Sequence, residues 1–144
     1  LGTQEKLYLG NLNAKRDWGH ASDFVDGMWR MLQQEKPEDF VLATGVSTTI
    51  REFVERAFAE VGITLEWSGS GIDETGRDVK SGKTIVSVDP AYFRPTEVDI
   101  LIGDASKARE MLGWQPTCDL QQIIKEMMHS DLEEAREDQI LQNN

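Results

Sequence analysis

Two amphipathic helical segments on either side of a short apolar run constrain the fold of this chain more than any other feature. The first segment has apolar residues at helical spacing from Phe24 to Leu32 and must end before Pro37. Phe40–Ala43 then forms a continuous apolar run between Pro37 and Gly45, which is typical of a buried strand in a parallel sheet. A helix, a buried strand and a second helix in this order indicate an α/β fold.

The predicted helices have recognisable ends. Thr49 opens a Thr-x-x-Glu capping box at the start of the second helix, and Gly62 suits the left-handed position that commonly follows a helix. Asp23 is the predicted cap of the first helix, which should run to about residue 34. Met28 and Trp29 of that helix are predicted to pack in the core.

Residues 63–90 predict a small sheet. Apolar and polar residues alternate over 63–67 and again over 85–88, and the glycine-containing stretch between them has room for one more short strand. Lys6–Leu9 is a further short β-like run that ends at the turn residue Gly10.

Two more helices are predicted after residue 103. Asp104 caps the first of them, which ends at Gly113, and Thr117 or Asp119 caps the second. From residue 136 to residue 144 the chain is polar and acidic, so this tail is expected to fray.

Charge and cysteine content narrow the classes of partner. The 144 residues carry a formal net charge of −11, which argues against a surface for nucleic acid or for an anionic membrane, because such surfaces need clustered Lys and Arg. The single cysteine, Cys118, cannot form an intrachain disulfide, which fits a reducing, cytoplasmic location. No metal-ligand spacing occurs. Because the chain opens on Leu1 rather than Met, we expect it to be part of a longer protein.

The loop that begins at Arg94 is the strongest candidate binding element. Arg94 and Glu97 place a permanent cation and a carboxylate three residues apart, and Pro95 between them stiffens the backbone. Arginine binds phosphate oxygens through its planar fork, and a carboxylate accepts hydrogen bonds from sugar hydroxyls. The pairing indicates a grip for a nucleotide sugar, although a surface ion pair would use the same two residues.

Two motifs and the helix that follows them resemble a known enzyme superfamily. Arg16–Asp23 resembles the Arg-Asp-aromatic-x-His-x-x-Asp signature of the extended short-chain dehydrogenase/reductases that act on nucleotide sugars. Arg94–Glu97 is similar to their Arg-Pro-Gly-acid signature, and Asp104–Ala108 is similar to the helix after it. Within the superfamily, the GDP-mannose 4,6-dehydratases are similar to this chain in three stretches: residues 7–19, 37–45 and 88–95.

This resemblance implies the carboxy-terminal part of a Rossmann-type α/β enzyme, with a small mixed α/β substrate-binding lobe. Residues 1–19 would supply a strand and loop of that lobe, and residues 20–46 a helix and a strand that complete the dinucleotide-binding sheet. Residues 47–135 would form the rest of the substrate-binding lobe, and residues 136–144 a polar tail.

The resemblance also implies a reaction. Enzymes of this family use tightly held NADP to oxidise C4 of GDP-mannose, eliminate water across C5 and C6, and return the hydride to C6. The product, GDP-4-keto-6-deoxy-mannose, leads to GDP-fucose and related deoxysugars. The chain has neither a Gly-x-Gly-x-x-Gly loop nor a Tyr-x-x-x-Lys pair, so we expect no catalytic and no cofactor-binding residue within it. NADP would be bound by the amino-terminal half, and the full-length enzyme would be a homodimer or homotetramer.

The resemblance assigns roles to six residues of this sequence. Arg16 and Arg94 match the two arginines that clamp the diphosphate, and Glu97 matches the acidic residue that accepts hydrogen bonds from the ribose. Three others lie on the segment that passes beside the base and the diphosphate: Gly10, Asn11 and Lys15. His20 is interpreted as a packed or hydrogen-bonding residue, and Asp17 as one that orients the turn.

Two alternatives remain open at the level of sequence. The chain could be the substrate-binding part of another nucleotide-sugar epimerase, reductase or synthase. It could also be a non-catalytic acidic interaction module, in which the two arginines would make no difference to partner binding.

Overall fold

The computed structural model describes residues 4–98 and 102–142. Six strands and four helices are assigned: β1 Leu7–Leu9, β2 Lys15–Asp17, α1 Ala21–Leu32, β3 Ser47–Thr49, α2 Ile50–Glu60, β4 Leu65–Ser68, β5 Thr75–Asp78, β6 Thr84–Val88, α3 Ser106–Leu112 and α4 Leu120–Gln142. The mixture of strands and helices confirms the predicted α/β class.

The described residues fall into two compact units. The first lies within Leu1–Ala14, Thr49–Glu97 and Ile124–Asn144, and the second lies within Lys15–Thr48 and Val98–Ile123. This division does not test which residues belong to a dinucleotide-binding sheet. The boundaries expected after residues 19, 46 and 135 therefore stay a prediction.

The first unit is built on a four-stranded sheet in the order β1-β6-β5-β4. Strands β4, β5 and β6 form an antiparallel meander, which confirms the small sheet predicted for residues 63–90 and the short strand inside it. Strand β1 lies parallel to β6, with Leu7 opposite Val86 and Leu9 opposite Val88. Val86 and Val88 are both buried, so β6 is the core strand of this sheet.

The parallel pairing of β1 and β6 decides where two loops begin. Carboxyl ends of parallel neighbours meet at one edge of a sheet, and loops at such an edge are where α/β proteins commonly bind ligands. The loop after Leu9 and the loop after Val88 therefore leave the sheet side by side. These loops carry Gly10, Asn11, Arg94 and Glu97.

Helix α2 of the first unit has the predicted ends. The Thr49 hydroxyl accepts a hydrogen bond from the Glu52 backbone N–H at 3.1 Å, as expected of the Thr at the start of a capping box. Gly62 follows the helix with φ +73°, the left-handed conformation that favours glycine. Val54 is the fully buried residue of this helix.

The second unit packs α1 and α3 around one tryptophan. Its buried core comprises Ala43, Ala105, Ala108, Leu112 and Trp114. The Trp114 ring stacks on Phe24 with a centroid separation of 6.2 Å. Gly27 lets α1 approach closely, because a Cβ at that position would lie 2.5 Å from a Leu42 methyl carbon.

The start of α1 differs from the prediction. The cap is His20, whose Nδ1 accepts a hydrogen bond from the Ser22 backbone N–H, which confirms His20 as a hydrogen-bonding residue. Asp23 lies one turn further along, is buried and bonds to the loop around Thr117 instead. The prediction of Asp23 as the cap was wrong. The Nδ1 atom of His20, three residues earlier, accepts the hydrogen bond from the first turn.

The apolar stripe of α1 was assigned to the wrong face. Met28 and Trp29, predicted to be core residues, are 57% and 60% exposed. The buried side of the helix instead contains Asp23 and Gly27, with Phe24 and Met31 half-buried against the core. Met111 on α3 and Met127 on α4 are each 50% exposed as well.

Two further expectations fail at the level of elements. Phe40–Ala43 is not a strand, and no strand within the described residues pairs with it. A strand is defined by its ladder, so an apolar run without a neighbour stays irregular although Ala43 is buried. The tail expected to fray from residue 136 is helical as far as Gln142, and its last two residues lie outside the described part of the chain.

The remaining helix ends are close to those predicted. Asp104, the predicted cap of α3, lies two residues before the helix and accepts a hydrogen bond from the Ser106 N–H at 2.9 Å, but the cap itself is Ala105. Gly113 ends α3 with φ +61°, as expected. Of the two candidates before α4, Asp119 is the cap, since its carboxylate accepts from the Gln122 N–H at 2.8 Å.

Candidate functional site

The segment after β6 is attached to the segment after β1. The Asp89 N–H donates to the Leu9 carbonyl at 2.8 Å, continuing the ladder one step beyond the strands. The chain then turns, because the Asp89 carbonyl accepts from both Tyr92 N–H and Phe93 N–H at 3.0 Å. This turn brings Arg94 back towards residue 11.

Gly10 allows the two segments to approach. A Cβ built at this position would lie 2.4 Å from the Tyr92 carbonyl oxygen, closer than real Cβ atoms come to a backbone atom. Gly10 was predicted to lie beside the ligand. The structure gives it a packing reason as well, since a larger residue would push the Tyr92 turn away.

Asn11 makes a reciprocal pair of hydrogen bonds with the backbone of Arg94. Its Nδ2 donates to the Arg94 carbonyl at 2.7 Å, and its Oδ1 accepts from the Arg94 N–H at 2.7 Å. Both polar groups of one backbone unit are thus satisfied by one planar side chain. Gly10, Asn11 and Arg94, which are far apart in sequence, are therefore brought together.

The Arg94 side chain extends into solvent from the backbone that Asn11 holds. Arg94 is exposed, and its guanidinium forms no ion pair with a carboxylate in residues 4–98 or 102–142. Glu97 lies on the same irregular loop and is half-buried. On one loop, a cation can bind an anionic group while a carboxylate accepts a hydrogen bond from a hydroxyl.

The loop between Asn11 and β2 is anchored to the start of α2. The Arg51 N–H donates to the Leu12 carbonyl at 2.9 Å, and the Ile50 N–H donates to the Ala14 carbonyl at 3.0 Å. Arg51 also donates from Nη2 to Asn13 Oδ1 at 3.0 Å. Sequence reasoning missed this anchor, because the helix N-terminus lies more than thirty residues along the chain from the loop it holds.

Arg51 is itself held by a charged partner and an aromatic ring. Its Nη2 lies 2.7 Å from an oxygen of Glu74, whose side chain is nearly buried. Its guanidinium carbon lies 4.8 Å from the centre of the Trp67 ring. Together these contacts make the Arg51 end of the loop rigid.

Lys15 and Arg16 belong to the second unit, where they lie in β2 beside β3. Lys15 is exposed, and Arg16 is half-buried and donates from Nη1 to the Lys15 carbonyl at 2.8 Å. Asp17 behaves as the orienting residue that was predicted. Its carboxylate accepts from the Thr44 hydroxyl at 2.6 Å and from the Gly45 N–H at 2.9 Å.

Asp23 is a buried carboxylate of the second unit with three hydrogen-bond donors. It accepts from the Thr117 hydroxyl at 2.6 Å and from the N–H groups of Thr117 and Cys118 at 3.0 and 3.1 Å. Burial raises the pKa of this carboxyl, but the hydrogen bonds from Thr117 and Cys118, with a smaller contribution from His20, outweigh it and hold the pKa below its ordinary value.

The second unit contains a cleft. It is lined by Trp18, Thr44, Val46, Thr48, Pro116, Thr117, Cys118, Asp119 and Leu120. None of the six predicted site residues borders it. Its lining is mostly apolar, and it offers no cation for a diphosphate.

Comparison with known proteins identifies the family. The profile of the family described as GDP-mannose 4,6 dehydratase matches residues 1–127, most of the chain. The chain belongs to the GDP-mannose 4,6 dehydratase family. The resemblance carried by the motifs around Arg16 and Arg94 is therefore confirmed at the level of the family.

Named members of the family are similar over nearly the whole chain. A GDP-mannose 4,6-dehydratase of Sinorhizobium fredii is 58% identical over 136 residues, which cover 94% of this chain and 39% of that protein. A GDP-mannose 4,6 dehydratase of Homo sapiens is 51% identical, with 94% of this chain and 37% of that protein covered. The chain thus spans less than half the length of these relatives.

Solved structures show the same fold at low identity. A protein named RMD from Pseudomonas aeruginosa, solved in complex with NADPH, superposes with a TM-score of 0.65 at 16% identity. The match covers 87% of this chain and 35% of that chain. This likeness supports the prediction of a partial Rossmann-type dehydrogenase/reductase fold.

The expectation that this chain of the GDP-mannose 4,6 dehydratase family has no dinucleotide-phosphate site stays a prediction. Such a site uses the free N–H groups at a helix N-terminus behind a glycine-rich loop. In the described residues, one N–H group at the start of each helix, those of Ser22, Glu52, Ser106 and Gln122, bonds to a nearby side chain. No Gly-x-Gly-x-x-Gly sequence occurs in the chain.

Membrane insertion is not indicated by any described helix. Even α4, with 23 residues, lacks the apolar length needed to cross a bilayer.

Proposed function

We propose that this chain is the GDP-mannose-binding part of a GDP-mannose 4,6-dehydratase, a lyase that converts GDP-mannose to GDP-4-keto-6-deoxy-mannose with loss of water. The conversion is redox-neutral overall, because the hydride removed at C4 returns at C6. Family membership supports the reaction class, and the loop geometry supports the division of labour.

The observation that carries this proposal is the Arg94 loop, whose backbone is held by Asn11. Arg94 presents an exposed guanidinium from a backbone fixed at both polar groups by Asn11, at the edge where β1 and β6 end. In a chain of net charge −11, such a cation stands out for a diphosphate ligand. Glu97 on the same loop is proposed to accept hydrogen bonds from the ribose hydroxyls.

Arg16 is proposed as the second arm of the diphosphate clamp. A diphosphate carries about two negative charges, so one arginine would neutralise it only in part. The bond from Arg16 to the Lys15 carbonyl restrains its side chain on β2. Lys15, exposed beside it, would add to the positive potential for the same group.

We place the cofactor and the chemistry outside this chain. The family resemblance implies NADP, yet the sequence contains neither a Gly-x-Gly-x-x-Gly loop nor a Tyr-x-x-x-Lys pair. No step of the reaction is assigned to residues 1–144. Their contribution to catalysis is to hold the GDP moiety so that the hexose is correctly placed. We expect the full-length enzyme to be a homodimer or homotetramer in the cytoplasm.

The proposal is tested in an assembled enzyme, made by inserting this chain in place of the matching segment of the Sinorhizobium fredii relative. With GDP-mannose and NADP, we expect a product lighter than the substrate by one water molecule, measured by mass spectrometry. The parent relative serves as the control. An assembled enzyme that fails to bind GDP-mannose, or that fails to fold, would contradict the proposal.

The same assembled enzyme distinguishes the alternatives. Turnover of a UDP- or dTDP-linked sugar with no turnover of GDP-mannose would favour another nucleotide-sugar enzyme. Unchanged function after removal of both Arg16 and Arg94 would favour an acidic interaction module.

A further inference from the structure

The geometry points to a new role for Asn11. We propose that Asn11 is a positioning residue that holds Arg94 in its binding geometry, rather than a residue that contacts the nucleotide sugar. This inference rests on the proposed function, since it concerns how Arg94 is presented to GDP-mannose.

The Asn11 side chain is already committed to Arg94. The carboxamide nitrogen donates a 2.7 Å hydrogen bond to the Arg94 carbonyl. The carboxamide oxygen accepts a 2.7 Å hydrogen bond from the Arg94 N–H. This donor-and-acceptor pattern fixes which end of the amide is oxygen. A side chain that turned towards a ligand would have to give up both bonds.

Asn11 is firmly held on its other side. Its backbone carbonyl accepts from the Ala14 N–H at 3.2 Å, and the neighbouring Leu12 is almost completely buried. The Leu12 carbonyl in turn accepts from Arg51 at the start of α2. Asn11 therefore links a rigid helix end to the backbone of the Arg94 loop.

The benefit to binding is a lower ordering cost. Arg94 belongs to no helix or strand, so neither a helix turn nor a strand ladder holds its backbone polar groups. Fixing both polar groups of Arg94 before the ligand arrives reduces the conformational entropy that binding must remove. Asn11 therefore acts on affinity through Arg94 and not through a contact of its own.

A double-mutant cycle in the assembled enzyme tests this role. GDP affinity is measured by calorimetry for Asn11→Ala, Arg94→Ala and the double variant. We expect Asn11→Ala to weaken GDP binding about tenfold and Arg94→Ala about 30-fold. The double variant should also be weakened about 30-fold, because Asn11 has nothing left to position.

Asn13→Ala is the matched control. Asn13 lies in the same loop and makes one side-chain hydrogen bond of 3.0 Å, to Arg51 rather than to Arg94. We expect it to leave the GDP affinity unchanged. Asn11→Ser replaces Asn11→Ala if the alanine variant does not fold, since a serine hydroxyl is too short to reach both backbone groups.

The outcomes separate the two levels of the argument. Independent effects, which would multiply to about 300-fold in the double variant, would show that Asn11 contacts the ligand directly and would overturn the inference. An Asn11→Ala enzyme with full affinity would overturn it as well, provided that Arg94→Ala is weakened. Full affinity in Arg94→Ala would instead overturn the proposed function.

Discussion

Asp23 stabilises the second unit through both its carboxylate and its backbone carbonyl. The carboxylate accepts three hydrogen bonds from Thr117 and Cys118, and the carbonyl accepts from the Trp114 indole N–H at 2.7 Å. Asp23 is only 6% exposed, so removal of its carboxylate would leave buried donors without partners. We expect Asp23→Ala to cost about 2–4 kcal/mol in the free energy of unfolding.

The pH dependence of stability follows from the lowered pKa of Asp23. Its folded pKa lies below its unfolded pKa, so its contribution is fully present above the unfolded pKa and is lost as the pH falls through the folded pKa. We expect the stability difference between the wild type and Asp23→Asn, measured by urea unfolding, to shrink below about pH 4. A difference that stays constant from neutral pH to pH 3 would contradict this assignment.

Gly10 is predicted to tolerate no side chain. A Cβ would meet the Tyr92 carbonyl oxygen at 2.4 Å, so the turn that carries Arg94 would have to move. We expect Gly10→Ala to destabilise the protein by about 1–3 kcal/mol and to weaken GDP binding as well. Gly82→Ala provides the comparison, because a Cβ there meets no atom within 4 Å, and its positive φ of 70° should lower stability without changing GDP affinity.

At the scale of elements, the cap of α2 stabilises both the helix and the loop that is bonded to its first turn. The Thr49 hydroxyl satisfies the Glu52 N–H, and the two N–H groups before it, of Ile50 and Arg51, hold the loop before β2. We expect Thr49→Ala to cost about 1 kcal/mol and Thr49→Ser to cost much less, as measured by thermal unfolding. Equal losses in the two variants would show that the methyl group, and not the hydroxyl, matters.

Sequence patterns predicted the elements whose signals are local. The helix ends were predicted from local signals at Thr49, Gly62 and Gly113, and the structure has helix ends there. The alternation over 63–67 and 85–88 is a local strand signal, and strands are found in both places. The strands β2 and β3 have three residues each and no alternation to detect. Their pairing depends on a partner about thirty residues away, which no local pattern reports.

The exposed face of α1 shows a second limit. Periodicity identifies apolar positions such as Val25, Met28 and Trp29, but it does not say which element covers them. In this chain the side of α1 that packs inward carries Gly27 and Asp23, residues that a hydrophobic pattern counts as polar or neutral. Close packing of backbone and a buried hydrogen-bonded carboxylate are tertiary effects, and sequence spacing does not predict them.

At the scale of the whole molecule, the sequence motifs selected residues that only the tertiary structure brings together. Arg94 and Asn11 were both selected from sequence, and the structure brings them into contact across 83 positions of the chain. The reciprocal amide bonds between them could not be predicted, because they depend on the parallel pairing of β1 with β6. Whether Arg16, Lys15 and Glu97 contact the same ligand stays a prediction.

The most direct test of the central claim is calorimetric titration of GDP-mannose into the assembled enzyme with Arg94→Ala. The control is Arg77→Ala, which removes another exposed arginine, whose partner is Glu66 on the neighbouring strand. We predict that Arg94→Ala weakens GDP-mannose binding about 30-fold, or roughly 2 kcal/mol, while Arg77→Ala leaves it unchanged. Equal affinities for the wild type and Arg94→Ala would contradict the account.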